Sequence, residues 1–376
     1  MKNILGLALL LMVTACGPLA EIDPLAQALA SQHPAIRRVM EDPVPHEVQI
    51  RYTQIDRRGD SIQFTDYDYQ VDRDRYFYPA STVKFPAAVA ALEKLHQIDS
   101  LDRDSRFYVE EDSVETTFAQ AILELFAVSD NRANNRLIEF LGQDDLNGRM
   151  HRRGVGPIRI AHRLSAPDAY ALTTKPLIVY LNDSTTALGR VTHNTVPEAL
   201  ELEGIKKGVG YYQGDSLWQG AFDFSLKNYF PIEAQHGLLK RIVFPQAFDP
   251  GLRFDLGKGG RDFLLGAMAV LPREAGYDPR DFPDPYGKFL IFGDSTDPIP
   301  DHIKIYNKVG YAYGTLTDCA YIVDQINGLD FMVTATILVN SDGIFNDDRY
   351  DYDGVGIPFL AQLGRELLHY EMKRKR

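Results

Sequence analysis

The sequence predicts an α+β fold in which helices pack on an antiparallel sheet. Three observations predict it: two alternating strand patterns lie early, helical periodicity fills the middle, and strand patterns return before one last helix. That order predicts a sandwich whose final helix returns to the sheet.

The opening MKNILGLALLLMVTA has one early lysine, an apolar core and small residues before Cys16. Its apolar stretch is too short to cross a bilayer, so residues 1–15 read as a secretory signal peptide. Val13-Thr14-Ala15-Cys16 is similar to a bacterial lipobox, whose cysteine is lipidated and becomes the new N-terminus. Gly17 follows, with no aspartate to suggest inner-membrane retention. The expectation is a lipoprotein of the bacterial cell envelope, anchored to the membrane through its N-terminal lipid. In a cell with two membranes it would sit on the periplasmic face of the outer membrane.

Residues 16–45 carry Pro18, Pro24, Pro34, Pro43 and Pro45 and read as a tether with room for one short helix around 25–40. HEVQIRYTQIDRRGDSIQFTDYDYQ then reads as two strands joined at Arg58-Gly59-Asp60. STVKFPAAVAALEKLHQI has helical periodicity, with Pro86 tolerable in the first turn. TTFAQAILELFAVSDNRANNRLIEFLG is helical on both sides of a polar break at Ser129-Asp130-Asn131. Residues 211–230 crowd aromatics and glycines without a clean period; the reading is buried core, with a lid or wall for a bulky substrate as the alternative. A helix is expected at about 260–271, then a Pro/Asp-rich loop to 301, two or three strands with an Asn327-Gly328 turn, and a terminal helix over about 356–373. Residues 46–376 therefore read as one domain with an insertion at roughly 175–255.

Composition removes several function classes. A net charge of −12 argues against a nucleic-acid partner, which wants a basic face. Only Cys16 and Cys319 are present, so a lipidated chain holds no internal disulfide and relies on a large core. The nine histidines form no H-E-x-x-H, and there is no Cys/His cluster or phosphate-binding glycine loop, so neither metal nor cofactor is expected. The stretch 346–354, NDDRYDYDG, misses the spacing of a calcium loop and reads as solvated.

Chemistry concentrates in three short stretches. A serine is a poor nucleophile until a base takes its proton, and Ser81 and Lys84 stand three apart on one helix face. A helix start at the serine offers N–H groups to a developing oxyanion, and a lysine base must be desolvated to be neutral. Alone, the pair also reads as a helix cap with a solvated lysine. Ser129 follows, able to relay a proton, with the Asn131 amide able to hold a carbonyl. K-x-G occurs three times, but only Lys308-Val309-Gly310 sits in strand periodicity, where glycine permits close approach to the backbone.

These motifs, in YPASTVKFP, FAVSDNRANNRLIEFLG and NKVGYAYGTLTDCAYIV, resemble the active-site serine β-lactamases and penicillin-recognising D,D-peptidases, nearest to class A β-lactamases. The resemblance runs through most of residues 46–376 and implies a five-stranded antiparallel sheet flanked by helices. It implies Ser81 as acylated nucleophile, Lys84 as activator, Ser129 as proton shuttle to the leaving amine and Asn131 as substrate-orienting group. Lys308 would anchor a substrate carboxylate and keep Lys84 poised, and the backbone N–H groups of Ser81 and Tyr311, beside Gly310, would form the oxyanion hole.

Two positions depart from the pattern. Val309 stands where the family usually carries a hydroxyl that binds the substrate carboxylate. No E-x-x-L-N stretch exists, and HRLSAPDAYAL brings Asp168 nearest to the place of the water-activating glutamate; an N-cap role competes, and Glu198 is a poorer alternative. The functional expectation is β-lactamase-like amide hydrolysis of a small-molecule or peptide substrate, either a β-lactam or a cell-wall fragment. A D,D-peptidase or esterase-like hydrolase with slow deacylation is the alternative. A third possibility is a non-catalytic surface lipoprotein on the same scaffold.

Overall fold

The computed structural model of the protein describes residues 23–59, 61–112 and 114–375. The expected signal and Cys16 lie outside the described residues.

Gln49–Arg58 and Ser61–Tyr69 form the first hairpin, in which Arg58 pairs with Ser61. Ile303–Ala312, Thr315–Asp324 and Leu329–Leu338 form a meander whose last strand pairs with Gln49–Arg58. The five-stranded antiparallel sheet therefore runs 303–312, 315–324, 329–338, 49–58, 61–69. Ile303–Ala312 is an edge strand, and its free edge meets the turn that carries Ser81.

Each face of the sheet has its own apolar cluster. On one side Ile55, Cys319 and Met332 pack under helices Lys84–His96, Phe118–Ala127, Asn131–Leu141, Ile232–Val243 and Gly260–Ala269. On the other, Tyr52, Val309, Ile322 and Val333 pack against Phe359, Leu360, Leu363 and Leu367 of the terminal helix Ile357–Arg374. A third cluster joins Tyr76, Tyr78, Phe224, Tyr229 and Phe345 beside the cleft.

Three expectations need correction. The tether over 16–45 does not extend past Asp23: Pro24–Leu29 and Pro34–Met40 are helices that bury Leu25, Ala28, Leu29, Ile36 and Val39 beside the terminal helix. Their prolines occupy the first helical position, where the missing N–H costs nothing. Residues 175–255, expected as an insertion, do not stand apart from the main core. Leu177–Asn182 pairs with Arg106–Val109, and Ile232–Val243 belongs to the main core. The aromatic stretch 211–230 divides: Phe224, Tyr229 and Phe230 are buried, whereas Ser216–Gln219 is exposed throughout, Trp218 included.

Docking of the N-terminal helices yields a test. Ile36 is fully buried, and Ile36→Ala is expected to lower unfolding stability by about 2–4 kcal/mol in a urea titration. A tether would show no change.

Candidate active site

The edge strand and the serine turn touch backbone to backbone. Ala80–Val83 is one turn of 3₁₀ helix leading into Lys84–His96, entered through Ala80 at a left-handed φ of 46°. A Cβ at Gly310 would lie 2.6 Å from the Pro79 carbonyl oxygen and 2.9 Å from the Ser81 nitrogen, so glycine is the residue this approach admits. The Ser81 amide thus sits against the strand one residue from Tyr311, the pairing an oxyanion hole requires.

Behind the serine, three side chains converge. Lys84 is fully buried; its Nζ donates to the Ser129 carbonyl and to Ser129 Oγ at 3.1 Å. Lys308, 2% exposed, donates to the same Oγ at 2.8 Å and to the Val309 carbonyl at 2.8 Å. No hydrogen bond joins Ser81 Oγ to Lys84 among the described residues; the bonded group is Lys84, Ser129 and Lys308, with Ser81 beside it. Burial lowers the Lys84 amine to about 7, against a weaker opposing pull from Asp130. Burial, with the adjacent Lys84 charge, pushes Lys308 well below its ordinary value. Val309 points the other way, into the core under the terminal helix, and does not line the cleft.

A cavity of about 550 Å³ opens over Ser81, with Asn131, Ser165, Tyr170, Lys227 and Tyr311 in its wall. Asp130 caps the helix Asn131–Leu141 through the Ala133 N–H at 2.7 Å, presenting Asn131, whose Nδ2 donates to Ser165 Oγ at 3.1 Å. The loop after residue 161 is pinned by a buried ion pair: Arg163 Nε and Nη2 donate to Glu139 at 2.5 and 2.9 Å, and Arg163 Nη1 and Nη2 also donate to the carbonyls of Ala171 and Thr173.

That loop does not bring Asp168 to the cleft. Asp168 is partly exposed, outside the cavity lining, and its carboxylate lies 3.5 Å from Lys175 Nζ. Arg163 fixes the loop, so Asp168 faces the solvent-side lysine while Ser165 takes the position beside Asn131. Glu198 lies at a separate surface depression. The stretch 346–354 is solvated as expected, with no residue buried, but Asn346, Asp348, Tyr350 and Tyr352 also wall the cleft. Ile344–Phe345 pairs with Gly210–Tyr211, and Tyr352 OH accepts the Gly314 N–H at 2.9 Å, which turns the loop inward. Lys227 is a further wall residue the motifs did not mark; its only signal was its place in the aromatic stretch.

Residues 34–196 match the family model described as the Beta-lactamase enzyme family. No curated protein matches the chain. Among solved structures the fold is similar to a class A β-lactamase from Bacteroides cellulosilyticus DSM 14838, at 14% identity, TM-score 0.55, over 94% of this chain and 98% of that one. It is similar also to a class A β-lactamase from Mycobacterium abscessus, at 18% identity, TM-score 0.52, over 93% and 98%. A mutant of PBP-A, solved as an acyl-enzyme complex with penicillin G, matches at 14% identity, TM-score 0.54, over 93% and 96%. The likeness to these solved structures shows the fold, an α+β arrangement of the kind seen in class A β-lactamases and PBP-A, and the family model adds a match over residues 34–196.

Two substitutions test this geometry. Glu139→Ala strands the buried Arg163 guanidinium and is expected to cost about 3–5 kcal/mol in denaturant unfolding. Gly310→Ala forces the strand from the serine turn and is expected to cost about 1–3 kcal/mol by the same measurement.

Proposed function

We propose that the protein is a serine acyl hydrolase that forms an acyl-enzyme on Ser81, acting on amides of the β-lactam kind. The observation that carries this reading is Ser129 Oγ, which accepts from two buried lysines at 3.1 and 2.8 Å. A neutral amine has two N–H donors and one lone pair. Lys84 uses its donors on Ser129, so its lone pair is left to take the Ser81 proton. Ser129 Oγ accepts twice, so its own O–H is left to donate to a leaving nitrogen.

The acylation half-reaction balances in protons, and water must then cleave the Ser81 ester to free the enzyme. As Ser81 Oγ bonds to the carbonyl carbon, Lys84 takes its hydrogen, and the N–H groups of Ser81 and Tyr311 receive the oxyanion. Collapse breaks the C–N bond, Ser129 protonates the nitrogen, and the Lys84 proton restores Ser129. Asn131 would orient the substrate amide, and Lys308, without a carboxylate partner of its own among the described residues, would take up a proton as a substrate carboxylate arrives and anchor it.

A second reading, a cell-wall D,D-peptidase or esterase-like hydrolase that deacylates slowly on β-lactams, is favoured by the outward placement of Asp168. A non-catalytic scaffold is the third, and the assembled Ser81, Lys84, Ser129 and Lys308 set weighs against it. The envelope location through lipidated Cys16 is proposed on residues 1–16 alone.

A mass time course with a penicillin and a cephalosporin separates these readings. Acylation of the wild type and none of Ser81→Ala supports acyl transfer; rapid loss of the adduct supports a β-lactamase, and a long-lived adduct the peptidase-like alternative. No adduct over a broad panel would falsify both. Lys84→Ala should slow acylation by about 10²–10⁴-fold. Because Lys84 acts as the neutral amine, the acylation rate should fall as pH drops through about 7 and level off above it.

A further inference from the structure

The edge strand gives the cleft a direction. Lys308 reaches Ser129, the group placed to protonate a leaving nitrogen, while Gly310 and Tyr311 bracket the reacting carbonyl. A strand advances about 3.3 Å per residue, so the chain beyond Tyr311 leads away from the leaving group. A substrate seated on Ser81 therefore extends its acyl side toward Tyr313.

Lys227 stands at that end. Its Nζ lies over the rings of Tyr170, Tyr313 and Phe222 at 5.2, 5.5 and 5.7 Å from their centres. The one polar partner among the described residues is the Tyr313 hydroxyl at 3.5 Å, and no carboxylate lies within ion-pair distance. Asp348, the carboxylate of the cleft wall, lies near Tyr350 and Tyr352 and forms no ion pair with Lys227.

The segment bearing Lys227 is built rather than loose. Arg159 Nη2 donates to the Lys227 carbonyl at 2.5 Å and the Ser225 carbonyl at 2.9 Å. Arg159 and Tyr229 exchange backbone hydrogen bonds at 2.8 Å, and Phe224 and Tyr229 are buried. Ring faces attract an ammonium and shed part of its water, so an incoming anion meets a preformed donor.

His162 marks the same end. It is 5% exposed, its ring is 5.1 Å from Tyr170, Nδ1 is bonded to the Arg163 carbonyl at 2.6 Å, and Nε2 is buried without a partner among the described residues. Burial draws this imidazole down to about 4; the Arg163 carbonyl opposes the shift, and Lys227 and Arg159 reinforce it.

We propose that Lys227, between Tyr170 and Tyr313, forms a subsite for a carboxylate on the acyl side of the scissile bond. This rests on the acyl-enzyme reading above and names the substrate class of that site: acyl donors carrying an anionic group next to apolar or aromatic atoms.

Benzylpenicillin and carbenicillin test it, because they differ by one carboxylate on the acyl side chain. The second-order constant for Ser81 acylation, read by intact mass, is expected to favour carbenicillin by about tenfold or more at low salt. That advantage should shrink as ionic strength rises. Lys227→Met should bring the ratio toward one, and Lys227→Arg should keep it. Adducts forming at equal rates in the wild type, or an unchanged ratio in Lys227→Met, overturn the subsite and leave the acyl-enzyme reading standing. No adduct from either penicillin overturns the acyl-enzyme reading, and the subsite with it.

Discussion

One hydroxyl shared by two buried amines organises this molecule. Ser129 Oγ draws together the start of the helix Lys84–His96, the turn before Asn131–Leu141 and the edge strand Ile303–Ala312. Burying an ammonium is costly unless it is paired or gives up its proton. Neither lysine has a carboxylate within ion-pair distance among the described residues, so the protein adopts the second solution. Hydrogen bonds to Ser129 and to backbone carbonyls occupy their donors, and apolar clusters on both sheet faces keep water out.

The edge strand must stay in register while Gly310 presses on the serine turn, and a buried network behind it holds it there. Lys288 Nζ donates to Asn307 Oδ1 at 2.7 Å and to the carbonyls of Met268 and Ile305. Asn307 Nδ2 donates to Asp318 at 2.8 Å, and Asp318 accepts the N–H groups of Phe289 and Leu290. Burial raises the Asp318 carboxyl to about 6 and lowers Lys288 to about 7. Neighbouring residues on a strand face opposite ways, so Asn307 locks the strand to this network while Lys308 reaches Ser129. The network fixes position, and the lysine supplies chemistry.

Much of this was legible in the sequence because periodic elements fix direction as well as place. Ser81 and Lys84 begin a helix, and Lys308 and Gly310 alternate on a strand; that the two meet was implied by the resemblance these motifs carry together, not by their spacing. Asp168 is in a loop, where spacing along the chain says nothing about where a side chain points, and the Arg163–Glu139 pair sent it outward. That the solvated run at 346–354 also walls the cleft was not readable, because the Ile344–Phe345 strand just before it pairs with Gly210 and Tyr211, far away in sequence. The docked N-terminal helices were readable in the spacing of Leu25, Ala28 and Leu29, but their prolines were weighed as breakers rather than starters.

What no propensity reveals is strain. Ala80, Ser129, Ser165 and Tyr313 hold left-handed φ values of 46°, 58°, 48° and 52°, each costing roughly 1–3 kcal/mol in residues with a side chain. All four border the cleft or lie directly beneath it, and each turns the chain where a reacting group must face inward. Rigid cores on both sheet faces make such a cost bearable, and so the site needs the whole domain. The same frame gives one residue type two settings. Lys84 and Lys308 are stripped of water beside each other, which favours the neutral amine at the leaving-group end. Lys227 lies over aromatic faces, which favour a cation, at the acyl end. A substrate is thereby oriented by charge between the two ends of the cleft.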